Sequence, residues 1–380
     1  MRLLHTADVH LDAPNGQLGA RAADLRERTW AAFERAIDEA LARQVQLFII
    51  AGDLFDRRDP PPQTVARALR QIMRLTAANP PIDVLLLPGT HDCWTATGGL
   101  WDAPWTRTLP EEVHLLAAGG PLTARLPHLD AAVHGCAHRC DERGQRPVCT
   151  LRADEAAAIN IGVAHGSYER GDVEDAGSAF SDPEIAATGM DYLALGHWHS
   201  WLELRAGEVI AVNPGSPEVP GFGSWARGSV AVVTLGGGPA QVERVEVGSL
   251  YAEQVTLDVG DLSGTEDLIG RLEQRADPDL LLHVRLGGLA SPGMMIDADA
   301  ASERLRDAFF ALRVSDASHP ALDSLAEARL DERMTLGRFV ALARERIEAA
   351  QGDERQERIA ERALQIGVSM LRQRNEGERR

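Results

Sequence analysis

Seven side chains stand where a strand-like apolar run gives out into a loop. They are Asp8 and His10 in "TADVH", Asp53 in "IIAGDLFD", His91 in "VLLLPGTHD", His165 in "IGVAHGS", and His197 and His199 in "LGHWHS". In "DVH" and "HWH" two such residues are separated by one, so in an extended segment both point to one side. A lone histidine at a strand end is commonly a packing or surface residue. Seven carboxylate and imidazole groups on separate strand ends form a donor set. Oxygen and nitrogen donors without thiolate suit Mn²⁺, Fe²⁺ or Zn²⁺ better than a structural cysteine zinc site. With this many donors, one aspartate bridging two metals is the natural geometry.

The elements that must position them alternate between strand and helix. "RLLHTADVHL" begins as a strand, and residues 20–43 place Leu25, Phe33, Ile37 and Leu41 at helical spacing. "VQLFIIAGDLF" is a second buried strand, "PPPQTVARALRQIMRL" a helix entered through proline, and "IDVLLLPGTHD" a third strand. This βαβαβ start implies parallel strands with right-handed crossovers, whose sites belong at the carboxyl ends of the strands. Further strands are expected at "AAVHGCAH", "AINIGVAHGS", "DYLALGHWHS", "EVIAVNPGS" and "GSVAVVTL". Residues 235–241, "LGGGPAQ", read as a hairpin, and a boundary follows near 248. A small strand–helix–strand unit runs from "VTLDVGDL" to "LLLHVRLGG", and after about 324 the chain becomes helical and charge-rich.

Composition bounds the function. The chain has 380 residues, 44% of them apolar, which suits a globular protein of more than one domain. No apolar stretch approaches the ~20 residues of a membrane span, and no signal-peptide pattern opens the chain, so a cytoplasmic protein without a membrane partner is expected. Cys93, Cys136, Cys140 and Cys149 form no dense framework, and reduced thiols are the default. A net charge of −18 gives no general attraction to nucleic acid, so any DNA contact must be local or metal-mediated.

In order over residues 5–217, the motifs Asp8-x-His10, Gly52-Asp53-x-x-Asp56, Gly89-Thr90-His91-Asp92, His165 and Gly196-His197-x-His199 resemble the calcineurin-like metallophosphoesterases. "HTADVHLDAP", "GDLFDRRDPPP" and "VNPGSPE" are most similar to the SbcD-type (YhaO-like) DNA repair exonuclease subunits. The resemblance implies an α/β sandwich of two mixed β-sheets flanked by helices at 1–247, a small α+β capping domain at 248–324 and C-terminal helices at 325–380. It implies two divalent cations, Mn²⁺ first, with Fe²⁺, Zn²⁺ or Mg²⁺ as alternatives. Asp8, His10 and His199 would hold one metal, His165 and His197 the other, and Asp53 would bridge. His91 then serves as general acid or phosphate contact, oriented by Asp56, which otherwise reads as a helix-entry carboxylate. The family places asparagine where Thr90 stands, so the second site, if Thr90 ligates it, is the weaker. Arg57 resembles the phosphate clamp of the family's Ser/Thr phosphatases and reads equally as a solvated loop arginine.

His134, Cys136, His138, Cys140 and Cys149 have a spacing open to zinc, although His134 and Cys136 fall in a core strand. Leu336, Phe339, Val340, Ala343 and Ile347 stripe one C-terminal helix. Asp353 with Gln356 opens a second, striped by Ile359, Ala363, Ile366 and Met370. Such stripes fit packing on the chain's own body. The resemblance implies docking on an SMC-like, SbcC-type ATPase, and it admits a homodimer. The expected function is hydrolysis of DNA phosphodiester bonds. The alternatives are a phosphomonoesterase or nucleotide phosphodiesterase of the same superfamily, and a scaffold with a weakened metal site.

Overall fold

The computed structural model describes residues 1–142, 144–169, 179–223, 226–290, 296–318 and 335–349, with 356, 359–360, 363–364 and 367 beyond them. Its first compact unit, Met1–Ala252, carries the candidate residues; the second is Glu253–Arg380. The chain begins β1 (Arg2–Thr6), α1 (Ala22–Ala42), β2 (Leu47–Ala51), α2 (Pro62–Thr76) and β3 (Asp83–Leu87). β1 pairs parallel with β2, and β2 with β3, as the βαβαβ reading requires. Pro62 stands in the first turn of α2, where its missing N–H costs no helical hydrogen bond.

The chain continues through β4 (Val113–Leu115), β5 (Pro121–Leu126), β6 (Ala131–Cys136), β7 (Ile159–His165) and the short pair β8 (Ser167–Tyr168) and β9 (Ala179–Phe180). Then come α3 (Asp182–Ala187), β10 (Tyr192–Gly196), β11 (Leu202–Ala206), β12 (Val209–Asn213), β13 (Ala226–Thr234) and β14 (Gln241–Asp258). In the first unit one sheet runs β14–β13–β1–β2–β3–β4 and the other β11–β12–β10–β7–β6–β5. Each mixes parallel and antiparallel pairs. β13 and β14 form the expected hairpin, with Thr234 opposite Gln241.

Strand alternation divides the apolar residues between two cores. Leu3, Leu47, Ile49 and Leu85 pack in the cluster that includes Val133, Ile161, Tyr192 and Val212 of the second sheet. Leu4, Phe48, Ile50 and Val84 pack instead with Trp30, Phe33 and Ile37 of α1 and Ile72 of α2. The first sheet is thus covered on both faces, which is why β2 and β3 read as unbroken apolar runs. The outer face of the second sheet is covered by Ile185, Phe180 and Leu151 against Leu193, Leu195 and Val209.

In the second unit, α4 (Thr265–Glu273) precedes β15 (Asp277–Gly287), giving the expected strand–helix–strand order after the end of β14. α5 (Ala298–Arg304) and β16 (Phe309–Asp316) follow, and β15 pairs parallel with β16 from Leu281 opposite Ala311 to Leu286 opposite Asp316. α6 (Thr335–Ala349) covers the first C-terminal stripe. Of the second stripe, Asp353, Ile366 and Met370 lie outside the described residues. No helix of the described residues is long and apolar enough to cross a membrane.

Candidate metal centre

The seven donors come together at the carboxyl ends of β1, β2, β3, β7 and β10. Backbone bonds knit the loops: Asp8 N–H donates to Gly52 O at 3.1 Å, His10 N–H to Asp53 O at 3.0 Å, and Gly166 N–H to Gly196 O at 3.1 Å. Four donors sit in a backbone region L-residues avoid, with φ of 53° at Asp8, 50° at His10, 51° at Asp53 and 104° at His197. Such conformations cost about 1–3 kcal/mol each and persist only where their surroundings impose them. The flanking glycines have a separate role. A Cβ on Gly52 would lie 2.1 Å from His165 Nδ1, one on Gly89 2.2 Å from Asp53 Oδ1, and one on Gly196 2.1 Å from Ala51 O. Only glycine lets these loops close on the donors.

Within the cluster, His10 Nε2 lies 3.2 Å from His199 Nε2, 3.8 Å from Asp53 Oδ2 and 4.0 Å from Asp8 Oδ1. His165 Nε2 lies 3.2 Å from that same Asp53 oxygen and 3.9 Å from Asp8 Oδ1. The two aspartates therefore stand between a His10/His199 side and a His165 side. Asp8, His10 and His199 present donor atoms within 4.8 Å of one another, as do Asp8, Asp53 and His165, and His10, Asp56 and His91. His197 is in none of these groups. Its backbone N–H donates to both Asp8 carboxylate oxygens, at 3.0 and 2.9 Å, and its ring lies 5.1 Å from that of His165.

These residues fit divalent cations. His165 is fully buried; its Nδ1–H donates to Ala51 O at 2.9 Å, which leaves Nε2 buried with no hydrogen-bond partner. A buried imidazole that gives Nδ1–H to a backbone carbonyl and turns Nε2 toward two carboxylates is the arrangement of a metal-ligating histidine. Burial pushes Asp8 up to about 6, with the Asp53 charge adding to it. At Asp53 burial acts in the same direction but is outweighed by His165, His10 and His91, which hold its carboxyl far below the usual range. Burial, reinforced by the charge on His10, depresses His199 to about 4. That imidazole is neutral at pH 7, as a ligand must be.

At the rim, His91 Nδ1 is 3.1 Å from Asp56 O and 3.5 Å from Asp56 Oδ1, and that carboxylate is also 3.2 Å from His10 Nδ1. The Asp56 bond raises His91 to about 9, so it is cationic at neutral pH. Thr90 Oγ1 donates to Asp53 Oδ2 at 3.1 Å, and His91 N–H donates to Asp53 Oδ1 at 2.8 Å. Arg57 is 54% exposed and pairs with Asp59 at 3.0 Å, outside the donor groups.

Two residues have positions that the pattern did not disclose. Asp92 is fully buried and accepts from Gly89 N at 2.8 Å and Phe55 N at 3.1 Å, clamping the loops after β3 and β2. Asp12 accepts from Trp30 Nε1 and Thr64 Oγ1, tying the loop after β1 to α1 and α2. The thiol expectation needs correction: Cys93 and Cys140 form a disulfide, their Cα atoms 5.3 Å apart. Cys149 donates to Glu184 and His134 is held by Thr123 and Asn160, so the candidate zinc spacing gathers no common centre among the described residues.

Residues 1–201 match the family described as calcineurin-like phosphoesterase. The chain is similar to the uncharacterized metallophosphoesterase YhaO of Bacillus subtilis, 24% identical over 293 residues that make up 73% of this chain and 70% of that one. It is also similar to the DNA double-strand break repair protein Mre11 of Sulfurisphaera tokodaii, 24% identical over 306 residues, 77% of this chain and 74% of that one. Among solved structures it is similar to TT1561 of Thermus thermophilus, at 12% identity and a TM-score of 0.39 over 65% of this chain and 98% of that one.

Proposed function

Because the chain belongs to the calcineurin-like phosphoesterases, we propose that it is a two-metal, Mn²⁺-dependent phosphodiesterase that cleaves DNA. The observation that carries the reading is the position of Asp53 Oδ2, 3.8 Å from His10 Nε2 and 3.2 Å from His165 Nε2. One carboxylate is within reach of two imidazole sides, as a bridging ligand must be. Asp8, His10 and His199 would hold one cation, His165 and His197 the other, and Asp53 would bridge them. Cations bound there supply water activated at neutral pH and neutralise phosphate charge. Thr90, donating to Asp53, acts through that bridge.

His91 completes the chemistry. Its Nδ1–H is committed to Asp56, so Nε2 is the nitrogen left for substrate. A cationic imidazole there stabilises the phosphate and delivers a proton to the leaving alkoxide. DNA as the substrate is supported by the similarity to a DNA double-strand break repair protein over most of both chains. Arg57 pairs with Asp59 at the surface; with the acidic net charge it is what the phosphomonoesterase alternative rests on. The C-terminal helices, beginning with α6, are proposed as the contact for an SMC-like ATPase.

The test is hydrolysis of duplex and single-stranded DNA beside p-nitrophenyl phosphate, with and without Mn²⁺. Metal-dependent cleavage of DNA supports the proposal. Turnover of the small monoester alone would replace it with a phosphomonoesterase, and no turnover by a metal-loaded protein would favour a scaffold.

A further inference from the structure

Threonine at position 90 leaves the His165 side of the centre one donor short. Its hydroxyl donates to Asp53 Oδ2 at 3.1 Å, and its side chain has no carbonyl oxygen. The loop after β6 adjoins this place on two sides. β6 pairs parallel with β7, Gly135 opposite Val163, so the segments after Cys136 and His165 leave the sheet side by side. Toward β3, the same loop is fastened to the segment that carries Thr90 and His91. His138 N–H donates to Pro88 O at 3.2 Å, Trp94 N–H to His138 O at 2.8 Å, and Cys140 N–H to Trp94 O at 3.0 Å. The Cys93–Cys140 disulfide closes that join. Both backbone polar groups of His138 are thus bonded to residues 88 and 94, which bracket Thr90 in the chain.

His138 is therefore held in place before any cation arrives. It is half-buried, and besides burial the groups that act electrostatically on its ring are His165, Asp53 and His197. Those three are the donors and the bridge proposed for the second cation. His10 and His199, on the other side of Asp53, are not among them. Neither His138 nor His197 belongs to the donor groups gathered within 4.8 Å, and the two rings share that outlying position. An imidazole also suits an approach from a neighbouring loop, since its Nε2 lies farther from the backbone than a threonine hydroxyl. Its nitrogen suits Zn²⁺ or Fe²⁺, where a carbonyl oxygen suits Mn²⁺.

We infer that His138 is a further ligand of the second cation, entering from the loop after β6 in place of the asparagine that Thr90 replaces. The inference rests on the two-metal reading and deepens it. The second site becomes a set of three imidazoles with one bridging carboxylate, and it discriminates Zn²⁺ from Mn²⁺ more steeply than the first. A weaker Mn²⁺ affinity there follows from the same exchange of oxygen for nitrogen.

The experiment is calorimetric titration of the metal-free protein with Zn²⁺ and, separately, with Mn²⁺. His138→Ala should leave the first binding event unchanged and weaken the second on the order of tenfold. His138→Phe, which keeps the ring bulk without a donor nitrogen, carries the same expectation should the alanine variant not fold. Thr90→Asn in the His138→Ala background should restore the second Mn²⁺ affinity, which a merely structural loss would not allow. In imidazole NMR, the His138 signal should move with the second equivalent of Zn²⁺ and not with the first. A second affinity unchanged in both His138 variants, or equal losses at both sites, overturns the role of His138 and leaves the two-metal reading standing. A wild type that binds a single cation overturns both.

Discussion

Asp56 joins two histidines with different tasks: its carboxylate lies 3.2 Å from His10 Nδ1 and 3.5 Å from His91 Nδ1. The first contact orients a proposed metal ligand from behind, and the second holds the proposed acid in its cationic form. Hydrogen bonds from both rings, against the opposing effect of burial, bring Asp56 itself down to about 2. α2 begins at Pro62 with Pro61 as its N-cap and no side-chain cap, so Asp56 does not cap that helix.

His91→Ala should lower turnover by ~10²-fold or more while leaving metal content nearly unchanged. Asp56→Asn should act through His91. In metal-free protein the His91 imidazole titrates at about 9, and without the Asp56 charge that value moves back toward 6.5. Imidazole NMR titration of wild type and Asp56→Asn reads this directly. Metal loss in His91→Ala, or an unmoved His91 titration, would remove the assigned roles.

Asp53→Asn should abolish activity and strip more metal than His165→Ala. Asp53 faces both imidazole sides and also receives the His91 N–H and the Thr90 hydroxyl, whereas His165 offers a single nitrogen. Metal analysis by mass spectrometry after desalting decides it; equal losses in the two variants would end the case for a bridge.

The strands behind the site were legible because covering both faces of a parallel sheet leaves only apolar positions, and β2 and β3 are such runs. β5 was not, since "PLTARL" is an edge strand exposed along most of its length and carries no clear alternation. Donor residues could be read where a side chain of the right chemistry ends a strand. Asp92 shares that position, yet its carboxylate turns inward to two backbone amides, a role visible only once the loops are placed. The Cys93–Cys140 pairing spans 47 residues, a separation that four scattered cysteines cannot specify.

Metal and proton compete for the same atoms, which gives a stability profile with a definite sign. Burial alone would lower His165, but Asp53 and Asp8 carry it up to about 10, above its unfolded 6.5. His91 moves the same way, to about 9. Both stabilise the fold fully below pH 6.5, and that contribution is lost as pH rises through 9 to 10. The raised values of Asp8 and Asp92, about 6 and about 7, act at lower pH. In chelator, then, the melting temperature should fall between pH 7 and 10, and His165→Ala should flatten the fall. Saturating Mn²⁺ should raise the melting temperature by an increment that grows with pH, because binding no longer has to displace protons. Calorimetry across pH with and without Mn²⁺ checks this; a metal increment independent of pH would contradict it.

Thr90 offers the sharpest test of the second site. Its hydroxyl donates to Asp53 Oδ2, the oxygen nearest His165, so it supports the proposed bridge without a carbonyl oxygen to place on a cation. Two unequal Mn²⁺ affinities are expected in the natural protein, with the weaker on the His165 and His197 side. Thr90→Asn should tighten that site and raise activity at limiting Mn²⁺. The gain should shrink as Mn²⁺ saturates, since mass action fills the weak site in any case. Calorimetric titration of metal-free wild type and variant measures both affinities. Two equally tight sites in the wild type, or an unchanged affinity in Thr90→Asn, would mean that the loop after β3 already supplies the missing ligand.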